Sequence, residues 1–328
     1  MTAPAAFDLG TFGETMIRLA PPDHERLETA TSLDCSIGGT ESNLAAALVR
    51  LGRSANWISA LPENPLGRRI AGEIRRHGVD TRNVVWRDDS RAGVYFLELG
   101  TGPRPTRVIY DRASSALATL PVQAVDPALA TASKIFHLTG ITPALSSNCA
   151  EICLRLADSA RDAGRNVTFD VNYRSLLWTP EQASEGLQPF LDRASVLFCG
   201  LADARTIWGL DGEPNEVAAE LIDRSTASVV VLTLGAEGAL ARRRDGRSVE
   251  QTAQEVEAVD PVGAGDAFAA GFLHRWLDDP GDLPGALRSG VALAGIAMTI
   301  PGDLAVITPA ELETAERDLS VLRKDIER

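Results

Sequence analysis

Residues 256–277, VEAVDPVGAGDAFAAGFLHRWL, combine glycines, a carboxylate and an apolar helix pattern. A short strand-like run meets Asp260-Pro261. Gly263-Ala264-Gly265-Asp266 follows, and then Phe268, Phe272, Leu273, Trp276 and Leu277 recur at helical spacing. Glycines ahead of a helix let the N–H groups of Gly263, Ala264 and Gly265 face outward, and the helix N-terminus adds about half a positive charge. Such a turn binds an anion without any lysine. Asp266 falls in the first helical turn, beside that anion. A carboxylate there can take the proton of an attacking alcohol while the amides offset charge on a transferring phosphoryl group. The same pattern also suits a plain helix entry, with glycine for the turn and Asp as its cap. The segment is not a P-loop, because GxxxxGK[ST] does not occur, and it lacks the dinucleotide fingerprint GxGxxG.

A second segment, CSIGGTESNLAAALVRLG at 35–52, sets Gly38-Gly39 before a helix with Asn43 at its start. Exposed backbone and one carboxamide suit hydroxyl groups, although a glycine turn feeding a helix would look the same.

The elements that must position these residues alternate along the whole chain. Short β-rich runs are followed by Ala/Leu-rich helical patterns, the signature of a parallel sheet built from βα units. Residues 166–171 (NVTFDV), 195–199 (SVLFC) and 228–234 (SVVVLTL) read as buried strands. Helices at 43–51, 65–77 and 148–163 end at Gly52, Gly78 and Gly164. Two stretches break the rhythm. Residues 14–37 are irregular and rich in Pro, Thr and Asp. Residues 91–111 alternate apolar and polar types around TGPRP, as in an antiparallel hairpin. We expect about 14–37 and 91–112 to form one small β layer, a lid within a single domain covering 1–328.

The composition narrows the functions available. The chain has 328 residues, 45% of them hydrophobic, enough for a sizeable core. A net charge of −13 and a pI near 4.9 lack the footprint of a nucleic-acid binder. No run approaches the ~18 apolar residues of a membrane span, and MTAPAAFDLG lacks the basic and long apolar regions of a signal peptide, so a cytoplasmic protein is expected. Cys35, Cys149, Cys153 and Cys199 form no CxxC pair and read as core thiols. Four dispersed histidines argue against a His-based metal site. Lys134 and Lys324 are the only lysines, so phosphate or carboxylate contacts fall to arginine or to backbone amides.

Together the two glycine motifs resemble both signatures of the ribokinase-like (PfkB) carbohydrate kinases: GG…N near the N-terminus and D-[TP]-x-GAGD near the C-terminus, here about 220 residues apart. The likeness covers nearly the whole chain. It implies an α/β fold, ribokinase-like, in three layers (α/β/α) with a mostly parallel central sheet and a small β-sheet lid. It also implies ATP and Mg²⁺. HLTGITPALS (137–146), FDVNYRSLLWTPEQA (169–183) and RVIYDRASSALA (107–118) are similar to the sugar-acid branch, the 2-keto-3-deoxygluconate kinases. That branch implies transfer of the γ-phosphoryl group of ATP to the 6-hydroxyl of 2-keto-3-deoxygluconate, an Entner–Doudoroff-type step giving 2-keto-3-deoxy-6-phosphogluconate.

The resemblance also implies roles. Gly38, Gly39 and Asn43 cradle the sugar; Tyr95, Tyr110 and Arg112 reach it from the lid; Asp303, in PGD, is a late substrate-side acid. Arg174 contacts substrate and lies near the nucleotide with Asn172. Arg112 and Arg174 would grip a carboxylate with their planar forks. Thr233, Gly235 and Gly238 of TLGAEG would approach the ATP phosphates together with Gly263 and Gly265, where many relatives carry a cation. The family's NxxE metal-helper motif is reduced to Gly200-Leu201-Ala202-Asp203, which leaves Asp203 near Mg²⁺. Exposed lid edges point to a homodimer or higher homo-oligomer. Two alternatives stay open: a kinase for a neutral ketose such as fructose or another keto-deoxy acid, and a catalytically silent sugar-binding regulator. Anionic ligands in an acidic protein call for a locally positive pocket, which the helix dipole, Arg112 and Arg174 are expected to supply.

Overall fold

The computed structural model describes residues 4–326. Among these, thirteen strands run in chain order as β1 (Phe7–Phe12), β2 (Met16–Ala20), β3 (Asp34–Gly38), β4 (Ala55–Pro62), β5 (Val84–Arg87), β6 (Val94–Glu98), β7 (Arg107–Asp111), β8 (Ser133–Thr139), β9 (Asn166–Asp170), β10 (Val196–Gly200), β11 (Val229–Thr233), β12 (Ala239–Arg243) and β13 (Ser248–Gln251). Nine of them form one sheet in the order β13-β12-β11-β10-β9-β8-β1-β4-β5. From β11 through to β5 every neighbouring pair is parallel; only β12 and β13 add antiparallel pairs at one edge.

Strand alternation explains the layers. Val229 and Val231 pack into one apolar cluster, Val230 and Leu232 into the other. The first cluster joins the sheet to helices Thr40–Arg50, Pro65–Arg76, Ala264–Trp276, Leu283–Met298 and Pro309–Ile326. The second joins it to Ser147–Asp162, Pro180–Leu191, Leu201–Trp208 and Pro214–Asp223. A sheet covered on both faces needs strands apolar on both sides, and these are. Helices Thr40–Arg50, Pro65–Arg76 and Ser147–Asp162 stop just before Gly52, Gly78 and Gly164, as the glycine spacing predicts.

The second sheet has the order β3-β2-β6-β7. β6 and β7 form the antiparallel hairpin expected around TGPRP. The stretch read as irregular contributes β2 and β3, and β2 joins β6 in parallel, with Ile17 opposite Val94. Met16, Ala20, Tyr95 and Leu97 form its small core.

Two expectations are corrected. The run before Asp260 is not a strand: residues 252–258 belong to no helix or strand. Its end is tied instead to a helix terminus, with the N–H groups of Val259 and Asp260 donating to the Met298 carbonyl at 2.8 and 3.1 Å. Glu255 and Glu257 break its apolar pattern. Cys149, Cys153 and Cys199 are buried thiols, but Cys35 is exposed on β3, an edge strand. No described helix is long and apolar enough to cross a membrane.

Candidate active site

A cavity of about 440 Å³ lies where β9, β10 and β11 end, beneath the small sheet. Ligands of open parallel sheets bind at the carboxyl ends of the strands, because the loops and helix N-termini converge there. Gly38, Gly39, Asn43, Tyr95, Tyr110, Arg112, Asn172, Arg174, Asp203, Thr233, Gly263, Gly265, Asp266 and Asp303 all line it. The two glycine motifs, distant in sequence, therefore meet around one space.

They also touch. The Asn43 carboxamide Nδ2 donates to Asp266 Oδ2 at 2.7 Å. Asp266 stands in the first turn of helix Ala264–Trp276, and burial pushes its carboxyl well above the usual carboxylate range, against the Asn43 hydrogen bond and the charge of Arg174. Gly263 is the N-cap at φ 86°, a left-handed backbone that glycine alone adopts freely, and a Cβ there would lie 2.3 Å from the Asp303 carbonyl oxygen. The Gly38 position is equally closed: a Cβ would lie 2.2 Å from Asp303 Oδ2 and 2.3 Å from the Tyr95 hydroxyl. Asp303 and Tyr95 are themselves joined, the phenol donating to Oδ2 at 2.7 Å.

Arg112 is half of a buried ion pair. Its Nε and Nη2 donate to Glu14 Oε2 at 2.9 and 2.6 Å, and its guanidinium lies 5.5 Å from the centre of the Tyr110 ring. The fork expected for a substrate carboxylate is thus partly engaged by Glu14.

Glu14, Glu41, Asp170 and Arg18 are functional candidates that the sequence reading missed. Glu41 is fully buried, accepts from the Thr139 and Thr142 hydroxyls at 2.8 and 2.7 Å, and is raised by burial. In GGTESN it looked like an ordinary first-turn acid. Asp170 ends β9, one step before the expected strand end. Its carboxyl is pushed up to about 7 by burial and then by the nearby Asp203, with Arg174 opposing. Asp203 is raised too, chiefly by burial, and accepts from the Tyr173 N–H at 3.3 Å. Asn172 adopts φ 40°, uncommon for any residue but glycine, and its N–H and carboxamide donate to Asp170.

Three expected positions lie outside the lining. Ala264 turns its N–H toward the Pro261 carbonyl at 3.4 Å. Gly235 and Gly238 shape the β11–β12 turn; a Cβ at Gly238 would lie 2.0 Å from the Gln251 carbonyl oxygen. Thr233, at the end of β11, does reach the cavity.

The expectation of a positive pocket is also overturned. Glu14, Glu41, Asp170, Asp203, Asp266 and Asp303 line it against Arg112 and Arg174. Raised carboxyls are the physical outcome of crowding acids in a low-dielectric wall with few cations.

Glycine amides at a helix N-terminus, a buried acid in its first turn and a polar wall opposite define a phosphotransferase acting on an alcohol. The class is a carbohydrate kinase on a ribokinase-like α/β fold. The model of the pfkB family of carbohydrate kinases matches residues 7–309, and the chain belongs to that family. It is 45% identical to the 2-dehydro-3-deoxygalactonokinase of Haloferax volcanii over 94% of this chain and 96% of that one. It is 29% identical to the 2-dehydro-3-deoxygluconokinase of Bacillus subtilis, over 90% and 91%. Among solved structures, the 2-dehydro-3-deoxygluconokinase of Thermotoga maritima superposes with a TM-score of 0.90 at 32% identity, covering 97% of this chain and all of that one.

Proposed function

We propose that the protein is an ATP-dependent kinase of 2-keto-3-deoxy sugar acids that phosphorylates the terminal 6-hydroxyl. The observation that carries this is the contact between Asn43 and Asp266, which joins a hydroxyl-binding glycine segment to a buried acid at an anion-binding turn. In the step, the 6-hydroxyl oxygen bonds to the γ-phosphorus while the bond to the bridging oxygen breaks and ADP leaves. Asp266 takes the hydroxyl proton, and the amides of Gly263 and Gly265 face the transferring group. The small sheet serves as a lid, with Tyr95, Tyr110 and Arg112 excluding water from the sugar.

Asp170 and Asp203 suit a divalent cation. Asp203 raises the carboxyl of Asp170, both line the cavity, and the Asp203 and Thr233 side chains both lie beside Gly200. Bound Mg²⁺ would offset charge on the ATP phosphates there. Arg174 and the spare donors of Arg112 then remain for the substrate carboxylate.

The sequence motifs resemble those of 2-keto-3-deoxygluconate kinases without separating that acid from its C4 epimer, and the similarity to a 2-dehydro-3-deoxygalactonokinase favours the epimer. An ATP-to-ADP coupled assay over both epimers and fructose tests the reading. Turnover should be confined to the keto-deoxy acids; turnover of fructose alone, or of none, overturns it.

A further inference from the structure

Arg18, on β2, is not itself a lining residue of the cavity, and its side chain is buried between two acids, one of which, Asp303, lines it. Nη2 donates to Asp260 and Nη1 to Asp303. Asp260 is wholly buried; its Oδ1 accepts from the Val262 N–H at 3.1 Å and its Oδ2 from the Gly302 N–H at 3.0 Å. Asp260 thereby fixes the turn that leads into Gly263, and it also fixes the Pro301-Gly302-Asp303 segment. Asp303 holds the Tyr95 hydroxyl, and Tyr95 lies opposite Arg18 in the β2–β6 register.

One guanidinium therefore ties the lid sheet, the anion-binding turn and the substrate-side acid together. Arginine fits this place because two separate nitrogens of one rigid plane reach two different carboxylates. A lysine ammonium is a single point with a shorter reach. We propose that Arg18 is a positioning residue that locks the lid sheet to the anion-binding turn, so that the sugar clasp and the transferring-group amides are set by the same side chain.

The proposal rests on the kinase reading for its kinetics alone. Without Arg18, Asp260 and Asp303 face each other across a buried space, with Tyr95 and the Asp266 carboxylate as the other titratable groups around Asp303. With no cation between them, the two carboxyl groups lose the partner that holds their segments together, so loss of the clamp should let those segments separate.

The test uses Arg18→Met and Arg18→Lys in the full chain. Hydrogen exchange without any substrate should show residues 94–98, 260–266 and 300–304 loosening together in Arg18→Met, whichever sugar the enzyme prefers. In turnover, kcat/KM for the sugar acid should fall about a hundredfold, shared between kcat and KM. Affinity for ATP with Mg²⁺ should stay within about threefold, and Arg18→Lys should recover part of the loss. If Arg18→Met fails to fold, Arg18→Lys carries the test: intermediate kinetics and exchange support the proposal, and wild-type behaviour overturns it. Loosening of one segment alone, or unchanged kcat and KM with only a lower Tm, also overturns it. Failure of the sugar-acid reading would show separately, as no turnover in the wild type with the exchange pattern intact.

Discussion

Asp266 has one strong hydrogen-bond partner, Asn43, and a wall that raises its pKa. A base with a raised pKa accepts a proton more readily, and it must be ionised to act. The acid limb of kcat should therefore lie above the ordinary carboxylate range, with activity rising as pH rises through it. Asp266→Asn should lower kcat by about a thousandfold and leave sugar KM within about threefold, as measured in the coupled assay. Near-normal turnover would remove Asp266 from the base role. Arg112 has a different balance. Arg112→Ala strips the partner from Glu14, whose side chain is 4% exposed. Breaking such a pair costs about 3 kcal/mol, so both Tm and affinity for the acid should fall. A lower Tm with an unchanged KM would make the pair purely structural. At this scale the sequence was most legible where a residue type has few uses. GAGD and GG…N each read equally as a glycine turn feeding a helix, and it is the two together, in order and about 220 residues apart, that resemble the kinase signatures. Arg18 sat in a stretch without periodicity, and nothing local linked it to residues more than two hundred positions away.

At the scale of elements, the turn at 260–263 matters more than the helix it starts. Gly263→Ala would demand a left-handed backbone from alanine and push a methyl group against the Asp303 carbonyl. The variant should fold, keep ATP affinity within about threefold and lose kcat by about a hundredfold, because the amides move relative to Asp266. A crystal structure with the turn unmoved and full activity would refute this. The helices closed by glycine were readable, since their ends are set locally. Residues 14–37 were readable as part of the small β layer, but the separate strands β2 and β3 within them were not, because the stretch is rich in Pro, Thr and Asp, β3 is an edge strand that needs little apolar character, and β2 also pairs with the distant β6. Reading β9 through Val171 drew attention to Asn172 and Arg174 and away from Asp170, the last residue of the strand, which lines the same cavity. The apolar fragment before Asp260 looked like a strand, but the sheet already ends at β13.

Across the whole molecule, net charge proved a poor guide to the site. The protein is acidic, and six carboxyl side chains line its cavity against Arg112 and Arg174, so in the proposed reaction the ATP phosphates would depend on oriented amides and a cation brought with the nucleotide. This arrangement trades stability for function. Burial pushes the Asp170 carboxyl from its ordinary 3.8 up to about 7, so the folded state loses stability as pH rises between those values. Asp170→Asn should raise Tm by about 2–4 °C at pH 8 without metal, with little gain at pH 5. Mg²⁺ should stabilise the wild type at pH 8 and leave the variant unmoved; identical thermal unfolding curves would discard the cation role of Asp170. The parallel pairing of β2 with β6 has a further consequence. The small sheet is stitched from two chain segments, with β4 and β5 of the main sheet lying between them in sequence. A single insertion or deletion cannot add or remove it. Transplanting this sheet from a relative with another sugar preference would need both pieces at once, and the graft would still have to match Asp260 and Asp303, which neither piece carries.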